Sequence, residues 1–222
     1  MIDVQNLTQS YGKKTVLNQV SLSVNENEVC ALVGRNGAGK STFISSLLGL
    51  LPVKTGTIKI NGKERSKKQH WENEIAYLPE KFMLYPSLTG YENMLFFAKT
   101  SQKPLNEAKM KEILTWVRLW EDKDAPIKGY SKGMLQRLGL AITFYQDCDM
   151  IILDEPTSGI DPIGRNEIHE ILKGLTNKTI LLSSHHLDEI KQLCTHVAYL
   201  DKGKITKYPV EDFIQLQHLG GR

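Results

Sequence analysis

The segment VGRNGAGKST, residues 33–42, limits the folds open to this chain more than any other stretch. Gly34 to Ser41 satisfies G-x-x-x-x-G-K-[ST] in full. The apolar run VCALVG (29–34) before it reads as a buried strand, and STFISSLLGLL after it reads as a helix. In such a strand–loop–helix unit the glycines let backbone N–H groups turn inward around a polyphosphate. Lys40 places a mobile positive charge on the outer oxygens, and Ser41 offers its hydroxyl to Mg²⁺. The motif specifies a nucleoside triphosphate without choosing between kinase, GTPase and motor chemistry.

Two further apolar runs, MIILDEP (150–156) and TILLSSHH (179–186), also read as buried strands, each passing into a turn and a helical pattern. Strands alternating with helices in this way predict a parallel sheet with crossover helices. Residues 1–33 and 56–66 instead show alternation with hairpin punctuation, as in GTIKINGKE, and predict a small antiparallel sheet. Residues 104–120 recur with a helical period through Leu105, Met110, Ile113, Leu114, Val117 and Leu119. That helix and one starting near Gly133 predict a helical insertion over about 83–147. HVAYLDKGKITKYP predicts a hairpin turning at Lys202-Gly203.

MIILDEPTSGID supplies acids where a phosphate site needs them. Asp154 ends the apolar strand, as expected of a carboxylate reaching Mg²⁺ through water, and Glu155 is available as a general base for water. The bulk numbers are those of an ordinary globular chain of 222 residues, 41% hydrophobic and 24% charged, with a net charge of +3. That balance gives no global argument for nucleic acid, and the basic run GKERSKKQH (62–70) reads as a solvated face. Cys30, Cys148 and Cys194 have neither metal nor redox spacing and read as reduced thiols. No run approaches the length of a membrane span, so action at a membrane requires a partner to supply the spanning part.

Gly34–Ser41, the segment YSKGMLQRLGLA (130–141), Asp154-Glu155 and His185 together resemble the ATP-binding subunits of ABC transporters, in order and spacing, over about residues 2–208. The resemblance implies a P-loop NTPase fold: a RecA-like core with an antiparallel β-subdomain and an α-helical subdomain, forming one nucleotide-binding domain over 1–222. It implies ATP and Mg²⁺ as ligands. The implied nucleotide set is Tyr11, stacked on adenine, with Gly34, Asn36, Gly37, Ala38, Gly39, Lys40, Ser41 and Thr42. Ser41, Glu80 and Asp154 are the implied metal set. Glu155 matches the catalytic base and His185 the histidine contacting the γ-phosphate, with alternation along the strand sending the rival His186 to the other face. Ser158 and Asp161 match a loop that passes between subunits.

This chain departs from the family pattern at two places. Glu80 stands where glutamine is usual, adding a charge beside the γ-phosphate. The usual signature leucine-serine-glycine-glycine-glutamine is Tyr130-Ser131-Lys132-Gly133-Met134 here, keeping the serine, one glycine and the helix start. In the family this segment closes over ATP held by a second subunit arranged head to tail, which implies Ser131, Lys132 and Gly133 acting on a partner's nucleotide.

The partners implied are transmembrane permease subunits and a second ATP-binding subunit, with no nucleic acid, and the location implied is the cytoplasmic side of the cell membrane. A soluble ABC-type role in repair, chromosome organisation or translation is the alternative. It would require long coiled coils or a second linked ATPase domain. The YLPE and YSKGM variants look most like exporter-type subunits, and YLPE…YPSLTGYEN…YSKGMLQRLGLA is similar to the ATPase of transporters assisting nitrous oxide reductase maturation. Phe82, Met83, Leu84 and Tyr85 read equally as a docking patch for a membrane subunit or as core of the helical region.

Overall fold

The computed structural model describes residues 1–64, 74–100 and 104–220, with side chains described through 217. The basic run beyond Glu64 and the final Gly221-Arg222 lie outside the described residues. The chain opens with β1 (Ile2–Tyr11) and β2 (Lys14–Val24), then β3 (Val29–Val33), α1 (Lys40–Leu48), β4 (Thr55–Ile60), β5 (Lys63–Glu64) and β6 (Ile75–Leu78). Helices α2 (Gly90–Thr100), α3 (Glu107–Trp116) and α4 (Lys132–Tyr145) follow. After them come β7 (Met150–Asp154), α5 (Pro162–Lys173), β8 (Thr179–Ser183), α6 (Leu187–Leu193), β9 (His196–Asp201), β10 (Lys204–Pro209) and α7 (Val210–Gly220).

Two sheets result. One is antiparallel in the order β2-β1-β4-β5; the other runs β10-β9-β3-β8-β7-β6, parallel except for the edge strand β10. Val29–Val33 therefore corrects the sequence expectation for residues 1–33. It leaves the antiparallel sheet and pairs in parallel with both β8 and β9. The reason is burial on both faces: β3, β7 and β8 lack the polar alternation of a half-exposed strand. Cys30, Leu32, Met150, Ile152 and Leu181 point into a layer shared with β1, β2, β4 and Phe43, Ile44 and Leu47 of α1. Ala31, Ile151, Leu153, Ile180 and Leu182 point to the opposite layer, against the remaining helices.

The two hairpin turns expected from GTIKINGKE and HVAYLDKGKITKYP form at those residues. Asn61-Gly62 and Lys202-Gly203 carry positive φ at both central positions, 49° and 76° in the first and 46° and 75° in the second. That geometry matches the right-handed twist of the strands it joins. The strand β6 has no expectation behind it: IAYL is four residues long and carries no clear period. Helix α3 is shorter than residues 104–120. Asn106 caps its start by accepting from the Lys109 N–H, and Arg118 at φ 58° ends it. Beyond that end Val117 and Leu119 stay fully buried, which explains their place in the apolar pattern.

Candidate nucleotide site

The strands β3, β6, β7 and β8 are parallel neighbours, so their C-terminal ends share one edge, and a crevice at that edge is where open α/β sheets bind ligands. A cleft of about 560 Å³ opens there, lined by Arg35, Asn36, Gly37, Gly39, Lys40, Ser41 and Thr42 from the loop after β3 and the start of α1. Glu80 enters from beyond β6, Asp154, Glu155 and Ser158 from the end of β7 and the loop after it, His185 from beyond β8, and Val16 from β2.

The loop after β3 depends on glycine at its two ends. A Cβ on Gly34 would lie 2.5 Å from the Leu200 carbonyl oxygen, a backbone atom that has no rotamer to retreat into. Gly39 sits at φ 112°, and a Cβ there would meet Val16 Cγ1 at 2.8 Å. Gly39 caps α1 without any side-chain bond, which leaves the N–H groups of the first turn for an anion. The Lys40 Nζ donates to the Gly34 carbonyl at 2.9 Å, folding the cation back across the loop it serves.

Across the cleft the register of β7 and β8 sets the acids. Asp154 pairs with Ser183, and the Ser183 hydroxyl donates to Asp154 Oδ1 at 2.5 Å while accepting from the Glu155 N–H at 2.9 Å. Glu155 holds φ 51°, a left-handed conformation that costs a side-chain-bearing residue about 1–3 kcal/mol and collects at functional sites. This turn swings its carboxylate toward His185, whose Nδ1 lies 2.8 Å from Glu155 Oε2. His185 is exposed on the cleft, whereas His186 is not among the lining residues and caps α6. Burial first, then the neighbouring His185, holds the His186 ring below the usual histidine range. The half-buried Tyr77 reports the field of the acids: burial, then Asp154 and Glu80, push its hydroxyl up to about 12.

Ser41, Asp154 and Glu80 present only oxygen donors, the type that hard divalent cations take. Among the described residues no group of three or more His, Cys, Asp or Glu could hold a metal alone.

Several sequence candidates stand elsewhere. Gly34 and Ala38 belong to the loop but do not line the cleft, and Tyr11, 55% exposed at the end of β1, does not line it either. Ser131, Lys132 and Gly133 begin α4 outside the cleft. Ser131 Oγ accepts from the Met134 N–H at 3.2 Å, and Lys132 Nζ donates to the Gly159 carbonyl at 3.3 Å. Asp161 caps α5, its Oδ1 accepting from the N–H groups of Ile163 and Gly164. The Gly164 bond leads in holding its carboxyl below the usual range. Val16, Arg35 and Ser183 are the additions that sequence reading missed. Arg35 lay inside the recognised motif, but nothing local marks Val16 or Ser183.

Comparisons with known proteins agree with this geometry. The family described as ABC transporter matches residues 17–158. A lantibiotic transport ATP-binding protein of Streptococcus pyogenes is 39% identical over 207 residues, covering 92% of this chain and 89% of that protein. A linearmycin resistance ATP-binding protein of Bacillus subtilis is 37% identical over 213 residues, 92% of this chain and 68% of its own length. A solved ATP-binding subunit of an ABC transporter, 30% identical, superposes with a TM-score of 0.82 over 100% of this chain and 95% of that one. A dimeric ATP-binding cassette bound to ADP and phosphate gives a TM-score of 0.82 at 22% identity, over 95% of this chain and 99% of that one, and speaks to the fold alone. With a phosphate-binding loop, strand-end acids and a histidine gathered at one sheet edge, the chain belongs to the ABC transporter family as one of its ATP-binding, ATP-hydrolysing subunits.

Proposed function

We propose that this subunit powers export through separate membrane-spanning subunits, and that two copies of an ATP-binding chain close head to tail around two ATP molecules. The observation that carries this reading is the division of the phosphate-binding parts. The cleft holds the loop, the acids and His185 but not the α4 start, where Ser131 and Lys132 are exposed toward another chain's nucleotide while Gly133 is buried behind them. Glu155 is the general base that orients and deprotonates the attacking water, held by its contact with His185. Lys40 and the free N–H groups of α1 bind the β- and γ-phosphates, and Thr42, Asn36, Gly37 and Ala38 complete the loop around them. Tyr11 supports the adenine from the rim, and Ser158 and Asp161 belong to the loop at the subunit boundary.

Mg²⁺, held by Ser41, Asp154 and Glu80 with the phosphates, would neutralise charge that develops on the transferred phosphoryl group. The relatives' names, with transport of a lantibiotic and resistance to linearmycin among them, favour export and a place on the cytoplasmic face of a membrane. No helix among the described residues is long and apolar enough to cross one. Residues 83–147, containing α2 to α4, are the proposed helical subdomain. Met83, 84% exposed, and Tyr85, 45% exposed, are its proposed contact with the membrane subunit.

Complementation tests the arrangement. Glu155→Gln and Ser131→Arg chains are each expected to hydrolyse ATP poorly alone. Mixed, they assemble one site with an intact Glu155 and an intact Ser131, and ATPase activity rises well above that of either component. A mixture as inactive as its components refutes the head-to-tail arrangement.

A further inference from the structure

Behind the cleft lies a buried polar cluster that the chemistry above does not use. Thr157, His169, Ser184 and Glu189 are each at most 2% exposed. Glu189, on α6, accepts from the Thr157 hydroxyl through Oε1 at 3.0 Å and from the Ser184 hydroxyl through Oε2. Ser184 Oγ in turn accepts from the His186 N–H at 3.0 Å. His169 of α5 brings Nε2 within 3.4 Å of Glu189 Oε1, and neither of its ring nitrogens has a hydrogen-bond partner among the described residues.

The positions of the two hydroxyls give the cluster its meaning. Thr157 stands two residues after Glu155, and Ser184 stands immediately before His185. On the cleft side the two loops meet through the Glu155–His185 contact at 2.8 Å. On the buried side the same loops meet through one carboxylate. We infer that Glu189 is a positioning residue for ATP hydrolysis, its carboxylate fixing the loop that carries Glu155 against the loop that carries His185. The inference rests on the roles proposed above for those two residues.

Two hydroxyl donors onto one buried carboxylate make a stiff tie, because losing a donor leaves a buried acceptor short of a partner. A loss of register between the loops moves the base relative to the attacking water, and displacements of that size are costly in rate. Neither hydroxyl belongs to the loop after β3, so nucleotide affinity is expected to change much less than turnover.

Steady-state ATPase kinetics of the full chain test this, with thermal melting run alongside. Ser184→Ala and Thr157→Val are each expected to lower kcat about tenfold with KM for ATP within about twofold. The double variant is expected to be no slower than the slower single, because both act through the same carboxylate. Glu189→Ala is expected to match that loss. Glu189→Gln, able to accept one hydroxyl and donate to the other, is expected to recover most of it. Single variants with kcat within about twofold of wild type overturn the inference, as do losses that multiply in the double variant. Glu155→Gln serves as the control: wild-type turnover in that variant would sink the catalytic reading itself, whatever the other variants do.

Discussion

Two helices of this chain start beside glycine and small polar residues, yet they treat their free N–H groups in different ways. Helix α1 starts at Gly39 with no side-chain cap, and its nearest cation, Lys40, is held by the Gly34 carbonyl. Helix α4 starts at Ser131, whose hydroxyl already accepts from the Met134 N–H. The first start is bare and faces strand-end acids, so it suits a bound anion on which chemistry is done. The second is self-satisfied, but a hydroxyl that accepts one bond keeps its own proton to donate. It suits an anion brought by another molecule. A third start, α5, is closed by the Asp161 carboxylate itself, and it competes with any external anion for the same N–H groups. On the proposed function, the three caps would correspond to a reaction site, a clasp for a partner's nucleotide and a structural helix end.

Removing the proposed base should break that comparison most severely. Glu155→Gln is expected to lower the hydrolysis rate by about 10²–10⁴ while leaving ATP binding intact, measured by phosphate release and nucleotide titration. If binding fell with the rate, α1 and the acids would not be separable in the way the geometry suggests.

Glu80 sharpens the electrostatic side of the same cleft. It lines the cleft with Asp154, so, on the proposed function, the two acids would repel the phosphates and wild type should bind ATP poorly when Mg²⁺ is withdrawn. The ratio of ATP affinities with and without Mg²⁺ is expected to be roughly fivefold larger than in Glu80→Gln, the size of one close charge–charge term in high dielectric. Identical Mg²⁺ titrations of the two proteins would remove Glu80 from the site.

The smallest effect concerns the closed helix start. Asp161 has its carboxyl held low by the Gly164 and Ile163 N–H groups in the folded state. Because the folded value is depressed, the contribution is present above the unfolded value and lost as pH falls through the folded one. The Asp161→Asn variant keeps a capping oxygen but has no group to titrate there. The melting temperature of wild type should therefore fall faster than the variant's in the acid range, and parallel pH profiles would show that the cap contributes no linkage.

Much of the cleft was legible because its parts are local. The phosphate loop is contiguous, Asp154 and Glu155 end an apolar run, and each of β3, β7 and β8 announces itself as an unbroken apolar stretch. Burial on both faces made these runs easy to recognise. The alternation of β1 and β2 is what misleads at residues 1–33, because it is carried on into β3, which is buried on both faces and pairs in parallel. The short β6 escaped because four residues carry too little pattern, although its end delivers Glu80 to the cleft.

The sequence by itself determined the class of ligand, the family and the identities of the acids and the histidine, since each is written in a few consecutive residues. Only the tertiary structure decided which of them touch. The order β3-β8-β7-β6 sets Ser183 against Asp154, puts His185 on Glu155 and closes Glu189 over Thr157 and Ser184. Apart from the local Ser184–Glu189 bond, those contacts join segments about thirty residues apart in the chain, and a strand's own period fixes which face a residue takes but not which neighbour it meets.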